Sequence, residues 1–441
     1  MNAPHLDHSY ADAFPELVHA AHAEEQPDPQ LVVLNTDLAS ELGIDPEWLQ
    51  SEEGLQFLLG RGGNRTVAMG YAGHQFGQLS PRLGDGRALL LGEIKGRDLH
   101  AKGTGPTVFS RGGDGRGALG PMLREYLVSE AMHALGVPTT RALAVISTGR
   151  KIMRTGTVPG AVLVRTAASH LRVGTVQYSR LISQDMDLTE RLCTYARKRH
   201  YPELNTHAEF FAGVMDAQIA TVATWMRLGF IHGVMNTDNT TLSGETIDYG
   251  PCAFLDRFDP ATFFSSIDTH GRYAFNNQPP ILGWNLARLA EAMVPLLEIE
   301  DAQEIMNTFP QRWEKAQAAE LARTLGTQDS GIAERWLQLL ETHSPDLTDT
   351  HRLLNDDPDT IPDAEWVADW RALNPEPMGH PFHIPRNHLL DAALRAAEAG
   401  DTAPFHELLD VVTTPFNDHG EQFRGPAPEE FSSMFRTFCG T

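Results

Sequence analysis

The chain has 441 residues, a mass of 48.6 kDa and a formal net charge of −23. At about 150 residues per domain this length suggests two or three packed units. A content of 41% hydrophobic and 21% charged residues excludes a collagen-like or wholly disordered chain, and no apolar run approaches the ~20 residues of a membrane helix.

Three widely spaced cysteines, Cys193, Cys252 and Cys439, exclude a disulfide framework and a paired-cysteine zinc knuckle, which points to a reducing compartment. Charge is unevenly spread. Residues 1–60 hold twelve acids and no Lys or Arg, residues 301–441 hold 25 acids against 10 bases, and residues 61–300 carry 25 bases against 21 acids. A nucleic-acid binder neutralises many phosphates, so this balance argues against nucleic-acid partners. It suits a middle segment that holds one small anion. The N-terminus has no basic n-region, no apolar core and no arginine, so neither a secretory signal nor a transit peptide is expected, and the protein is expected in the cytoplasm.

In chain order, residues 1–60 read as an acidic lead-in with short helices, one near Thr36 to Gly43. From 61 to about 170, short apolar runs alternate with Gly-rich turns, and 88–94, 142–147 and 161–165 read as strands. Between them Pro121 to Leu135 reads as a helix, with Pro in its first turn and Gly136 after its end. Helical periodicity then dominates. Thr206 to Leu228 opens with a capping box, Thr206 with Glu209, and closes at Gly229. Further helices are expected over 282–297, 311–341 and 387–410, with the acidic, Pro- and Asp-rich stretch 343–372 as a solvated connecting loop. The outline is α+β, a small strand-rich lobe followed by a larger helical one.

Three motifs carry chemistry. The first is glycine-dense, 103–120, with a second Gly/Asp/Arg turn at Gly84-Asp85-Gly86-Arg87. Glycine lets backbone N–H groups approach an anion, although neither GxxxxGK[ST] nor GxGxxG is present. The second is Lys102, following the 88–94 strand, with Glu125 on the Pro121 helix, the pairing by which kinases fix ATP phosphates. Glu130 is a rival partner pointing about 140° away. The third runs from Gly229 through His232, Asn236, Asp238 and Asn239 to Asp248, Tyr249 and Gly250. A helix, a loop rich in Asn and Asp, a turn and a second Asp before Tyr-Gly follow the order of a kinase active site. Asn239 and Asp248 offer hard oxygen ligands for Mg²⁺. With His232 aligned on the kinase His-Arg-Asp-x-x-x-x-Asn, the catalytic Asp becomes Val234, and Asp238 is the substitute base. Arg165 and Arg172 can clamp phosphates. His380, His383 and His388 have no carboxylate or Cys at ligand spacing, so no metal site is expected there.

YAGHQFGQLSPRLGDGRALLLGE (71–93), HAKGTGPTVFSR (100–111), DGRGALGPMLREYLVSEAMHALGVPTTRALA (114–144), RVGTVQY (172–178), GFIHGVMNTDNTTLSGETIDYGPCAFLD (229–256) and IPRNH (384–388) resemble the selenoprotein O family, protein adenylyltransferases with a kinase-like fold. The resemblance implies ATP bound in flipped orientation, with AMP passed to Ser, Thr or Tyr hydroxyls of protein substrates and pyrophosphate released. It implies Asp238 as catalytic base, Asn239 and Asp248 as ligands of Mg²⁺ or Mn²⁺, and Lys102 with Glu125 at the phosphates. It also implies nucleotide contacts from Gly84, Gly86, Arg87, Asp114, Gly115, Arg165 and Arg172. The domains expected are an N-terminal extension (1–60), a kinase-like N-lobe (61–170), a C-lobe with the catalytic loop (171–300) and its helical extension (301–441), in a monomer. Transfer of UMP, conventional phosphotransfer and a non-catalytic nucleotide-binding scaffold are the alternatives. The sequence departs from the family pattern at Arg82, at Val108-Phe109, in the short segment before Lys102, at Gly117 to Gly120, where a looser loop is expected, and in its solitary terminal Cys439.

Overall fold

The apolar runs of the N-terminal half assemble into one antiparallel sheet in the computed structural model, which describes residues 3–63, 65–154, 156–183 and 185–438. The strands are β1 (Val18–Ala20), β2 (Gln30–Leu34), β3 (Val67–Met69), β4 (Gly73–Gln75), β5 (Gln78–Ser80), β6 (Ala88–Ile94), β7 (Arg97–Lys102), β8 (Gly117–Ala118), β9 (Arg141–Met153) and β10 (Thr157–Ala167). The main sheet has the order β1-β3-β6-β7-β10-β9-β2, with β8 on β10, while β4 and β5 form a separate hairpin. Residues 1–60 do form short helices, but they also supply β1 and β2, the two ends of this sheet.

Strand β6 is buried along its whole length because both its faces are covered. Leu89 and Leu91 pack with Leu38, Trp48 and Phe57 of the short N-terminal helices, while Leu90 joins Leu123 and Leu127 of the helix Leu119–Ala134. The segment before Lys102 is short because β6 and β7 meet in a tight turn, with Lys95 and Gly96 both at positive φ, 49° and 76°. This register sets Lys102 opposite Ala88 on one side and Leu163 on the other. The helix begins at Leu119, two residues before the expected Pro121, whose missing N–H falls in the unbonded first turn. Gly117 and Ala118 are not loose: they pair with Ala161 and Gly160 of β10, and Gly120 N–H donates to Glu398 Oε1 at 3.2 Å.

In the helical half, His207–Leu228 has its capping box, Glu209 N–H to Thr206 Oγ1 at 3.1 Å and Thr206 N–H to Glu209 Oε2 at 3.0 Å, and stops at Gly229 with φ 71°. Strand β11 (Phe230–Ile231) then pairs with β12 (Ala253–Phe254). The intervening residues 232–252 are thereby pinched into a loop whose two ends are fixed. The 282–297 helix is Gln278–Met293. The 311–341 segment is two helices, Phe309–Leu325 and Ser330–His343, broken at Gly326, and 387–410 is likewise Asn387–Glu398 and Ala403–Thr413.

The expectation of a solvated loop at 343–372 is overturned. Helices Leu347–Asp356 and Ala364–Ala372 occupy it, and Asp346 and Asp363 are their N-caps, accepting from Asp349 N–H and Trp366 N–H. Trp366 and Trp370 are buried with Trp336 in a third core. The acids that suggested a loop are caps and solvent-facing residues around an apolar stripe. The IPRNH element ties this region back: Arg386 donates to Asp256 at 2.9 Å and to Asp346 at 2.7 Å, and Asn387 to Phe254 O at 2.9 Å.

Candidate active site

A cleft of about 470 Å³ is walled by the Gly84–Ala88 turn, Lys102, the glycine-rich loop, Arg165, the Val234–Asn239 loop and Asp248. The sheet brings the cations. Lys102 ends β7 and Arg165 lies on the adjacent β10, so both side chains converge on the helix Leu119–Ala134 and on Asp248. Lys102 Nζ donates to Glu125 Oε2 at 2.6 Å and to Asp248 Oδ1 at 2.8 Å. Arg165 Nη1 donates to Glu125 Oε1 and to Asp248 Oδ1, both at 2.6 Å. Arg172 Nη1 is 3.9 Å from Asp248 Oδ2. Three cations thus face two carboxylates, which leaves one positive charge in excess beside the cleft. Burial alone would raise both carboxyls, yet Arg165 with Lys102 and Arg172 holds Asp248 well below its ordinary range, and Lys102 with Arg165 holds Glu125 below its own.

Glu130, the rival partner, is turned away as its helix position requires. It takes Arg141 (2.8 Å) and Asn35 Nδ2 (2.8 Å) instead. Asp248 adopts φ 63°, a left-handed conformation that Asp tolerates better than most residues. His232 Nε2 lies 2.9 Å from Ile247 O, which fixes the loop that presents Asp248.

Across the cleft, Asn236-Thr237-Asp238-Asn239 makes a short 3-10 turn clamped by the β4–β5 hairpin. His74 N–H donates to Thr237 Oγ1 at 2.7 Å, Phe76 N–H to Asn236 Oδ1 at 3.3 Å, and Gln75 Nε2 to Asp238 Oδ2 at 3.3 Å. The other oxygen, Oδ1, is buried without a hydrogen-bond partner and lies against Gly73, where any Cβ would collide with it. Burial pushes the Asp238 carboxyl up to about 6. Val234 is buried on the cleft wall, and its carbonyl takes the Asn239 Nδ2 at 2.9 Å. That bond engages the nitrogen end of Asn239 and leaves Oδ1 as the atom able to accept a cation. An Asn oxygen and an ionised Asp form a hard donor pair that fits Mg²⁺ or Mn²⁺, and the one imidazole in the cleft lining, that of His100, is engaged by Asp85 at 3.1 Å.

The family scan matches residues 4–361 of the chain to the model described as "Protein adenylyltransferase SelO". The chain belongs to the SelO family. Among its relatives is the protein nucleotidyltransferase YdiU of Corynebacterium efficiens, 53% identical over 99% of this chain and 96% of that protein. YdiU of Mycobacterium sp. strain KMS is 48% identical over 99% of both chains, and that of Mycolicibacterium smegmatis is 47% identical over 99% of this chain and 98% of its own.

Of the SelO-family site residues expected from sequence, Gly84, Gly86, Arg87, Lys102, Asp114, Gly115, Arg165, Asp238, Asn239 and Asp248 line this cleft. Glu125 and Arg172 stand behind its wall. Arg172 donates to Asp238 O at 3.2 Å and stacks on Tyr71 at 4.2 Å, so it braces the Asp238 loop from behind. Asp114 is held by Arg154 at 2.9 and 3.0 Å, and the neighbouring Arg116 is held by Glu24 at 2.9 and 3.1 Å. These two pairs fix the glycine-rich loop. Gly73, Gln75, Tyr71, Arg154 and Glu24 were not singled out in the sequence. The family-like segment 71–93 was the only signal for Tyr71, Gly73 and Gln75, and Arg154 and Glu24 lie outside every family-like segment. Phe109, one of the family departures, is buried under Gly84, and Arg82 stacks on its ring at 5.5 Å. His380 and His383 are spent on structure, at Thr324 O (3.1 Å) and His419 N–H (3.0 Å). Cys439 lies outside the described residues. Among the described residues no helix is long and apolar enough to cross a membrane.

Proposed function

We propose that this chain is a protein adenylyltransferase with a kinase-like bilobal fold, moving AMP from ATP to Ser, Thr or Tyr hydroxyls of other proteins and releasing pyrophosphate. On this reading 61–170 is the small lobe, 171–300 carries the catalytic loop, 301–441 extends the large lobe, and 1–60 packs on both. The protein acts as a cytoplasmic monomer with ATP and acceptor proteins as its partners.

The observation that carries the reading is the opposition across one cleft of the Lys102–Glu125–Asp248–Arg165 network and the buried Asp238, with Val234 where a kinase places its base. Lys102, fixed by Glu125, and Arg165 hold the phosphate chain, with Arg172 adding positive charge from behind. Arg87 and the backbone at Gly84, Gly86, Asp114 and Gly115 hold the rest of the nucleotide. Asp238 takes the proton of the acceptor hydroxyl as that oxygen bonds to the α-phosphorus. The bond from the α-phosphorus to the bridging oxygen breaks, and its electron pair leaves with pyrophosphate. A carboxyl held at about 6 is mostly ionised at neutral pH yet more basic than an exposed one, which favours this transfer. Asn239 and Asp248 hold Mg²⁺ or Mn²⁺, which neutralises charge on the phosphate oxygens when bound.

The test is incubation of the purified protein with ATP, Mg²⁺ or Mn²⁺ and a generic acceptor protein, followed by intact-mass analysis. An AMP adduct that disappears in Asp238→Ala is expected. A phosphoryl adduct would make the chain a kinase, and preferential labelling by UTP would make it a uridylyltransferase. ATP-dependent thermal stabilisation with no adduct would make it a scaffold.

A further inference from the structure

Asp238 is approached from two sides. One is walled by the Gly84–Arg87 turn, Lys102, Arg165 and the glycine-rich loop, all on the nucleotide side of the cleft. The other opens past Gln75, Phe76 and Ile267, and Ile267 is 51% exposed. An acceptor hydroxyl that arrives while nucleotide fills the first side has only the second.

What lies outside that opening is built of aromatic rings and guanidinium groups. Phe76 packs on Tyr273 with ring centroids 5.2 Å apart. Beyond it, the Arg272 guanidinium lies 5.1 Å and the Arg288 guanidinium 4.8 Å from the same ring, that of Trp284. His74 meets the Trp284 ring edge-on at 5.2 Å. Two guanidinium groups sharing one indole repel each other, and an anion between them relieves that repulsion. The carboxylates nearby are few. Glu291 pairs with Arg288 at 2.5 Å but is 63% exposed and held only from within its own helix turn. Asp268 is consumed by the backbone N–H groups of Arg272 (2.9 Å) and Tyr273 (2.8 Å). The Arg272 guanidinium contacts the rings of Tyr273 and Trp284, and no carboxylate pairs with it among the described residues. On a chain of net charge −23, this cationic ledge at the mouth of the cleft runs against the overall sign.

The ledge is also tied to the base through one strand. His74 touches Trp284, and the next residue, Gln75, donates to Asp238. Successive residues of β4 thus contact the ledge and the base, from the two faces of one strand.

We infer that the ledge of Arg272, Trp284 and Arg288 is the docking surface for the acceptor protein, and that it receives a segment carrying Asp or Glu within a few residues of the modified hydroxyl. This deepens, and rests on, the protein-hydroxyl reading above. Carboxylates are received by the guanidinium forks, and the apolar edge of Phe76 and Ile267 lies along the path to Asp238.

The experiment uses synthetic acceptor peptides with a single Ser, Thr or Tyr, flanked at the second and third positions by Glu, Ala or Lys. AMP transfer by the full-length protein is followed by mass spectrometry, alongside Arg288→Ala, Arg272→Ala/Arg288→Ala and Arg272→Glu/Arg288→Glu. ATP-induced thermal stabilisation reports on folding and nucleotide binding in each variant. The expected result is a preference of about tenfold or more in kcat/KM for the Glu peptides. It weakens in Arg288→Ala, disappears in the double Ala variant and turns toward the Lys peptides in the double Glu variant, with ATP stabilisation retained throughout. Equal use of all peptides by the unaltered protein overturns the ledge and leaves AMP transfer standing. So does a Glu preference that survives the double substitution, or labelling of a folded generic acceptor without any labelling of Glu peptides. Phosphoryl in place of AMP on the same peptides overturns the transfer reading, and the charge preference is then scored on its own. No adduct on any acceptor overturns both.

Discussion

Replacing Asp238 by Asn removes a charge while keeping the shape that fits between Gly73 and Gln75. In the protein free of nucleotide and metal, burial raises this carboxyl from its ordinary 3.8 to about 6. The folded state therefore binds the proton more tightly than the unfolded chain does. The group costs no stability below about 3.8, costs progressively more as pH rises toward 6, and exerts its full cost above that. A shift of about two units corresponds to roughly 3 kcal/mol at pH 7.5, of which about half remains at pH 5. Asn escapes this cost, because the Gln75 amide can turn its oxygen toward the Asn nitrogen. Asp238→Asn is therefore expected to be more stable than the unaltered protein by about 2–3 kcal/mol at pH 7.5, and by about half as much at pH 5. Urea unfolding in EDTA at both pH values measures this. AMP transfer by the same variant is expected to fall by about 10²–10⁴-fold. A variant no more stable than its parent at pH 7.5 would refute the reasoning. So would a gain that is equal at both pH values, since then the charged carboxylate would not be the destabilised species.

Substitutions at two further positions probe packing, one at the site and one at the tie to the C-terminal helices. Gly73→Ala would drive a methyl group into Asp238 Oδ1 and Leu83, so transfer should drop by about 10²-fold while ATP-induced thermal stabilisation persists; near-parental turnover would show that Asp238 does not work in the position described. Arg386→Ala leaves Asp256 and Asp346 without their shared cation in the interior, and urea unfolding should show a loss of about 3–5 kcal/mol. Arg386→Lys should recover only part of this, because an ammonium lacks the fork that engages both carboxylates; a loss under about 1 kcal/mol in Arg386→Ala would mean that solvent reaches the pair.

The parts of the site that were legible in sequence are those whose signal is local. The capping box at Thr206, the Gly229 stop and the spacing from His232 to Asn239 and on to Asp248 lie within 43 consecutive residues, and the β11–β12 pair needed only to close them into a loop. The Lys102–Glu125 pair was legible through the 88–94 strand and the Pro121 helix on either side of it, although β7, the strand that carries Lys102, was not read from the sequence. What was missed depends on contacts distant along the chain. Gln75 reaches Asp238 across 163 positions, and Gly73 matters only because Asp238 folds against it. Trp366 and Trp370 were hidden by local composition, since a Pro- and Asp-rich stretch looks like a loop until its acids are seen to be helix caps.

The segregation of charge had a further meaning that composition alone did not reveal. A mildly basic middle was read as a place for a small anion, but much of that positive charge is directed at the acidic N-terminal sixty residues. Arg116 pairs with Glu24 at 2.9 Å, Arg191 with Glu16 at 2.7 Å, Arg61 with Glu25 and Arg141 with Glu41 at 3.8 Å, and Arg65 with Asp12. Each of these part-exposed pairs is worth at most about 1 kcal/mol, so their consequence is placement more than stability. With Glu24 N–H bonded to Thr104 O at 2.8 Å and its carboxylate on Arg116, the lead-in grips the glycine-rich loop at two points. The N-terminal acids thus brace the glycine-rich wall of the cleft from outside, and an incoming polyphosphate meets Lys102 and Arg165, backed by Arg172, together with Arg87 and Arg111 of the cleft lining.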